Sequence, residues 1–348
     1  MYDKMLHKFK KGLNELKKLL PWLLVLMLAI VLVACGTGDS DDDAENNTGS
    51  SETEETNDNN EDDDAAETDD APEAEASEDL PSEIVMGFVP SQDSANIAST
   101  VEPLAERLTE ELGVTVRGEV MTNYTALVEA MGNDQVHIGF IPAFGYVLAT
   151  DRYDNIEAIL KSIRHGSSTY KAQYTVRADS DIESIEDLEG KIWTFPDLAS
   201  TSGFLYPAAQ LMDDYDVENV EDFFSDMIQA GSHDNAIITV LEGDADVATT
   251  FDDARTAVEE DYPEVMDELR VLGYTTEIPN DTISINTNLP QSFTDQVISV
   301  FLSFNDDEEM ITIMDEVYNW TGIDNASDSD YDVVRSVAEK FSDEVSLD

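Results

Sequence analysis

The chain has 348 residues, and its 18 Lys and Arg stand against 77 Asp and Glu, a formal net charge of −59. So negative a surface excludes nucleic acid as the natural partner, and a single cysteine, Cys35, excludes both an intramolecular disulfide and a thiolate metal cluster. No His-rich loop or familiar metal-ligand spacing is present, so no metal or other cofactor is implied.

The N-terminus carries Lys4, Lys8, Lys10, Lys11, Lys17 and Lys18 ahead of an apolar run from Leu19 to Ala34 interrupted by Pro21. That layout predicts an export signal over residues 1–34, and the run is shorter than the roughly 20 residues a spanning helix needs. Leu32-Val33-Ala34-Cys35-Gly36 resembles a bacterial lipobox. The resemblance implies that Cys35 receives fatty acyl chains, becomes the first mature residue and tethers the protein to the extracytoplasmic face of the cell membrane.

Residues 35–81 are dominated by Asp, Glu, Ser, Thr, Asn and Ala with no aromatic residue, too polar to offset the entropy of ordering. They read as an acidic, extended tether. The leader holds six of the basic and two of the acidic residues, so the exported chain keeps 12 basic against 75 acidic. Such self-repulsion points to a high-salt or alkaline habitat, and any anion must be captured by short-range donors against the overall field.

From Ser82 the composition turns globular, with length for two lobes. Glu83 to Val89 reads as a strand; Ile97, Val101, Leu104, Leu108 and Leu112 fall on one helical face closed by Gly113. Val114 to Val120 and Val136 to Phe140 continue as strands, with helices predicted over Tyr124 to Met131 and Ala143 to Ala149. The alternation argues for an open α/β sheet. A crossing strand over Tyr170 to Arg177 opens a second set, with strands at Lys191 to Phe195, near Met227 and near Asp246, and helices starting near Ser200 and His233. Arg270 to Tyr274 and Thr282 to Asn286 read as strands leading back, followed by helices over Gln291 to Phe304, Glu308 to Tyr318 and Tyr331 to Phe341. The expected division is 82–174 for the first part of lobe 1, 175–276 for lobe 2 and 277–348 for the return to lobe 1, with a ligand in the cleft between them.

Phe195-Pro196-Asp197-Leu198-Ala199-Ser200-Thr201-Ser202-Gly203 leads three hydroxyls directly into a helix, where unpaired backbone N–H groups and side-chain donors can meet an anion. An ordinary cap accounts for one such hydroxyl, not for three. His233, in Gly231-Ser232-His233-Asp234-Asn235-Ala236, stands at another helix start.

These segments resemble the phosphate, phosphite and phosphonate substrate-binding family of ABC transporters, over about Ile84 to Phe341. The specific features are Ser200-Thr201-Ser202-Gly203, the His233 segment, and Ile278-Pro279-Asn280-Asp281, with Tyr124 ahead of Leu127-Val128-Glu129-Ala130-Met131 and Tyr170 on the crossing strand. The resemblance implies a two-lobed type II periplasmic-binding-protein fold, α/β in class, with a hinge and an interlobe cleft. It also implies a non-enzymatic, monomeric carrier that hands a phosphorus oxyanion to ABC permease subunits. Carried over residue by residue, Ser200, Thr201 and Ser202 hold the oxyanion, and Tyr124, Tyr170 and His233 add donors. Asp281 is an acidic cleft position, and Asp253, with Asp252 as the alternative, falls where aminophosphonate binders place an acid. Tyr146 and Arg164 are further candidate contacts, with core packing and a surface ion pair as their default readings.

Two other classes share some features. A receptor of the same fold could report occupancy to a sensor. A hydrolase could be assembled from Ser202, His233 and Asp281, but no Gly-x-Ser-x-Gly elbow is present.

Overall fold

The computed structural model describes residues 80–341, so the leader, Cys35 and nearly all of the tether lie outside the described residues. Strands β1 (Glu83–Phe88), β2 (Thr115–Val120) and β3 (Ile138–Ile141) alternate with helices α1 (Ser94–Leu112), α2 (Tyr124–Gly132) and α3 (Ala143–Arg152). Each had a counterpart in the hydrophobic pattern. In α1, Ile97, Val101, Leu104, Leu108 and Leu112 are all buried, Asp93 caps the first turn through Ala95 and Asn96 N–H, and Gly113 ends it at φ 69°.

Strand β4 (Ile156–Ile163) then completes the first half, and a tight turn leads to β5 (Thr169–Arg177). The second half comprises β6 (Ile192–Phe195), α4 (Tyr206–Asp214), β7 (Asp226–Gln229), α5 (His233–Glu242), β8 (Val247–Phe251) and β9 (Leu269–Pro279). The chain returns through β10 (Thr282–Asn286), α6 (Gln291–Ser303), α7 (Glu308–Tyr318), β11 (Gly322–Asn325) and α8 (Asp332–Ala338).

Two sheets result. The first runs β11-β4-β10-β3-β1-β2 and the second β7-β6-β8-β5-β9. In the first, β1 pairs in parallel with β2 and β3, while β10 is antiparallel to β3 and β4. In the second, β6 is parallel to β7 and β8, and β5 is antiparallel to β8 and β9. Of the two segments read as leading back, only Thr282–Asn286 joins the first sheet; Leu269–Pro279 pairs along β5 in the second.

Each sheet has its own aromatic core. Phe88 stacks on Phe140 at 4.3 Å in the first, and Trp193 stacks on Phe204 at 5.4 Å in the second.

The chain passes between the sheets at Arg164–Ser168 and at Asn280–Asp281. The first passage is a two-residue turn: Arg164 and Ser167 exchange N–H···O bonds of 2.9 and 2.8 Å, and His165 and Gly166 take φ of 48° and 78°. Glycine suits the second of these left-handed positions. The two passages are tied together, because Asn280 Nδ2 donates to Ser162 O at 2.9 Å and Ser167 O at 2.8 Å while Ser162 N–H donates to Asp281 O at 3.0 Å.

Candidate functional site

The C-terminal ends of the parallel strands of both sheets face one another, where an open α/β sheet offers helix N-termini to a ligand. After β6 the chain caps itself: Ser200 Oγ accepts Gly203 N–H at 3.0 Å, and Thr201–Leu205 forms one π-helical turn before α4. Gly203 is required there, since a Cβ would lie 2.5 Å from Pro196 Cδ and 2.8 Å from Ser200 Oγ. From the second sheet, Thr249 Oγ1 donates to Gly203 O and accepts Trp193 Nε1–H at 2.7 Å. The turn is therefore held through its backbone as well as by the Ser200 cap.

Tyr124, Tyr170, Ser200, Ser202, His233 and Asp281 line one small cavity of ≈ 30 Å³. Tyr124 stands at the start of α2, whose cap Asn123 accepts Ala126 N–H at 2.7 Å. Its phenol is fully buried and has no hydrogen-bond partner among the described residues. Burial pushes the Tyr124 hydroxyl well above its ordinary pKa, and burial and then Asp281 raise that of Tyr170, so both phenols remain donors. Ser200 spends a lone pair on Gly203 and keeps its proton to give.

His233 is buried at the first position of α5, and its Nδ1 accepts Phe251 N–H at 3.3 Å. That contact assigns the ring proton to Nε2. Burial, assisted by the Arg164 charge, pulls its pKa down to about 3, so the imidazole is a neutral donor. A Ser-His-Asp relay needs a carboxylate at the nitrogen that Phe251 already occupies.

Asp281 is the cavity's carboxylate. It pairs with Arg164 at 2.7 Å, both side chains nearly buried at 13% and 11% exposure. Burial raises the Asp281 pKa while Arg164 works against it. Sequence reasoning made Arg164 a surface ion pair by default; the pair exists, but it is internal and lines the cavity. No local signal could have found it, because its partner is 117 residues away. Ser91 and Gln92 also line the cavity and were missed. Their place between β1 and the Asp93 cap was the available sign, because residues at that strand end face the cleft.

Two expected site residues stand elsewhere. Thr201 is fully buried, and its Oγ1 accepts the N–H of Phe144 at 2.9 Å, so it bridges to helix α3 instead of lining the cavity. Asp253 is 64% exposed and pairs with Arg255 at 3.5 Å. Because the Phe251 ring ends β8 against the cavity, both Asp252 and Asp253 fall beyond it, in an outer pocket of ≈ 300 Å³. Tyr146 is core, as read, and donates to Asp328 at 2.8 Å away from the cavity.

Further contacts join the two halves around the cavity. His233 N–H donates to Ser91 O at 2.8 Å. Asp197, itself buried, accepts Ala199 N–H at 2.8 Å, Gln229 Nε2 at 2.9 Å and the backbone N–H of Tyr124. Burial nevertheless raises the Asp197 pKa. Among the described residues no group of three or more His, Cys, Asp and Glu is placed to hold a metal ion.

A set of convergent O–H and N–H donors around one small cavity can hold a single compact oxyanion. Comparison with known proteins adds to this geometry. Residues 86–331 match the family model described as ABC transporter, phosphonate, periplasmic substrate-binding protein. The phosphate-import protein PhnD of Mycolicibacterium smegmatis is 28% identical over 292 residues, which is 78% of this chain and 89% of that protein. The phosphonates-binding periplasmic protein of Escherichia coli is 25% identical over 256 residues, 72% of this chain and 75% of its own. Among solved structures, PhnD1 of Prochlorococcus marinus in complex with methylphosphonate superposes with a TM-score of 0.67 at 20% identity, covering 75% of this chain and 99% of that one. A binding-protein component of an ABC phosphonate transporter from Pseudomonas aeruginosa gives 0.68 at 22% identity, covering 73% and 85%. At these identities the structures speak for the two-lobed fold.

Proposed function

The chain belongs to the phosphonate periplasmic substrate-binding protein family of ABC transporters, and from that premise we propose that it captures one phosphorus oxyanion, phosphonate, phosphite or phosphate, in the interlobe cavity and delivers it to the permease of an importer. The observation that carries this reading is the Tyr124 phenol, fully buried and unpartnered beside the donors Tyr170, Ser200, Ser202 and His233. A buried donor without a partner costs about 1–3 kcal/mol, and an anion in the cavity would remove that cost. With acids so abundant over the whole chain, donors at hydrogen-bond distance, not net charge, select the anion. The family's members are carriers, and the His233 geometry supports binding without catalysis.

The two passages between the sheets would serve as the hinge, and Asp281 would orient Arg164 beside the ligand. Cys35 is the proposed lipid anchor, and residues 35–81 the spacer that lifts the binding region from the membrane. Calorimetric titration with inorganic phosphate, phosphite and methylphosphonate tests the assignment. Saturable one-to-one binding of at least one is expected; binding of none would overturn it.

A further inference from the structure

The cavity and the outer pocket are neighbours with a shared wall, made by Arg164, Tyr170 and Phe251. The Arg164 guanidinium lies over both rings, 5.2 Å from the centroid of Tyr170 and 5.6 Å from that of Phe251, while Nη2 holds Asp281. Its backbone cannot swing aside cheaply, since its N–H and C=O are both spent on Ser167 in the turn between the sheets. Moving the side chain would break a nearly buried ion pair and two ring contacts together.

We propose that Arg164 sets the upper size of the ligand: held by Asp281 between Tyr170 and Phe251, it partitions the cavity from the outer pocket and confines the site to a tetrahedral oxyanion whose fourth substituent is no larger than methyl. This rests on the phosphorus-oxyanion reading above. A cavity of ≈ 30 Å³ exceeds the roughly 10–15 Å³ that one water needs by only a factor of about two to three. An ethyl or propyl chain has no room there unless it enters the outer pocket, and Arg164 stands in the way. An aminoalkyl tail fares worse, because its ammonium must pass the guanidinium before meeting Asp252 or Asp253 on the far side.

The test is calorimetry with methyl-, ethyl- and propylphosphonate and 2-aminoethylphosphonate on the wild type, on Arg164→Ala/Asp281→Asn, which removes both charges together, and on Arg164→Lys. For the wild type, affinity should fall at least ~10-fold from methyl to ethyl, with a further loss at propyl, the scale set by one methylene in a close-fitting site. In the double variant the pockets merge, and the methyl-to-propyl ratio should shrink to within ~3-fold; Arg164→Lys, slimmer and non-planar, should reduce the methyl-to-ethyl step. A wild type that binds propylphosphonate as well as methylphosphonate overturns the partition while leaving the oxyanion site intact. So does a steep series unchanged in a folded double variant or in Arg164→Lys. A wild type that binds neither methylphosphonate nor inorganic phosphate or phosphite removes the functional reading, and the partition with it.

Discussion

Arg164 Nη2 and Asp281 Oδ2 meet at 2.7 Å, one from each of the two segments that carry the chain between its sheets. The pair therefore ties the crossovers to each other and borders the cavity at the same time. Removing one partner alone would leave a nearly buried charge without its counterion, at a cost of about 3–5 kcal/mol.

Ser202 is 2% exposed, lines the cavity and, unlike Ser200, caps nothing in its own turn. Ser202→Ala should weaken oxyanion binding by roughly 1.5–3 kcal/mol, the worth of a hydrogen bond to a charged group, or about tenfold to over a hundredfold in affinity. Calorimetry gives the affinity and a urea melt the stability, which should change little. Wild-type affinity in this variant would remove Ser202 from the site.

His233 gives a pH signature. Its folded-state pKa is near 3 against an ordinary 6.5, so the unfolded chain takes up a proton that the folded chain refuses as pH falls between those values. The histidine therefore withdraws stability from the fold across that window on acidification. Relative to His233→Gln, the wild type should lose stability as pH drops from about 7.5 to 4.5, read from paired urea melts. A constant difference would speak against a buried neutral imidazole.

Gly203→Ala should destabilise by about 1–3 kcal/mol, the cost of overpacking, because the new Cβ meets Pro196 and Ser200 Oγ at 2.5 to 2.8 Å. The same shift would displace the Ser200 cap and lower oxyanion affinity. A variant with unchanged melt and affinity would mean that the turn yields without consequence.

Salt should stabilise the protein. With 77 acidic against 18 basic residues the surface repels itself, and the screening length falls to roughly 3 Å at 1 M. Thermal melts over a salt series should move upward, and a flat or falling midpoint would end the halophilic reading.

Cys35→Ser should release the protein from membranes without altering ligand affinity, since the proposed anchor and the cavity are separated by the tether. Membrane fractionation and calorimetry on the same variant read both. A variant that still partitions as an integral protein would favour an uncleaved apolar segment.

Much of the framework was legible because burial leaves a periodic trace. The five apolar positions of α1 and the stop at Gly113 could have been drawn from the sequence alone. Strand β4 carried no such trace: Ile156-Glu157-Ala158-Ile159-Leu160 mixes both periods and was passed over, as was the four-residue β11. At the site, residue types were legible and directions were not. Ser200, Thr201 and Ser202 all read as anion donors, but a single π-helical turn sends Thr201 across to Phe144. Asp253 had the right charge, yet it follows a strand whose final ring, Phe251, closes the cavity before it. Arg164 depended on two distant passages meeting, which only topology decides.

The loop from Ser200 to Ser202 does two jobs with three adjacent hydroxyls: the outer two face the cavity and the middle one clasps the opposite half through Phe144. The cavity wall and the contact between the two halves thus share one short piece of chain. A substitution at any of the three would therefore disturb the cavity wall and the contact between the halves together.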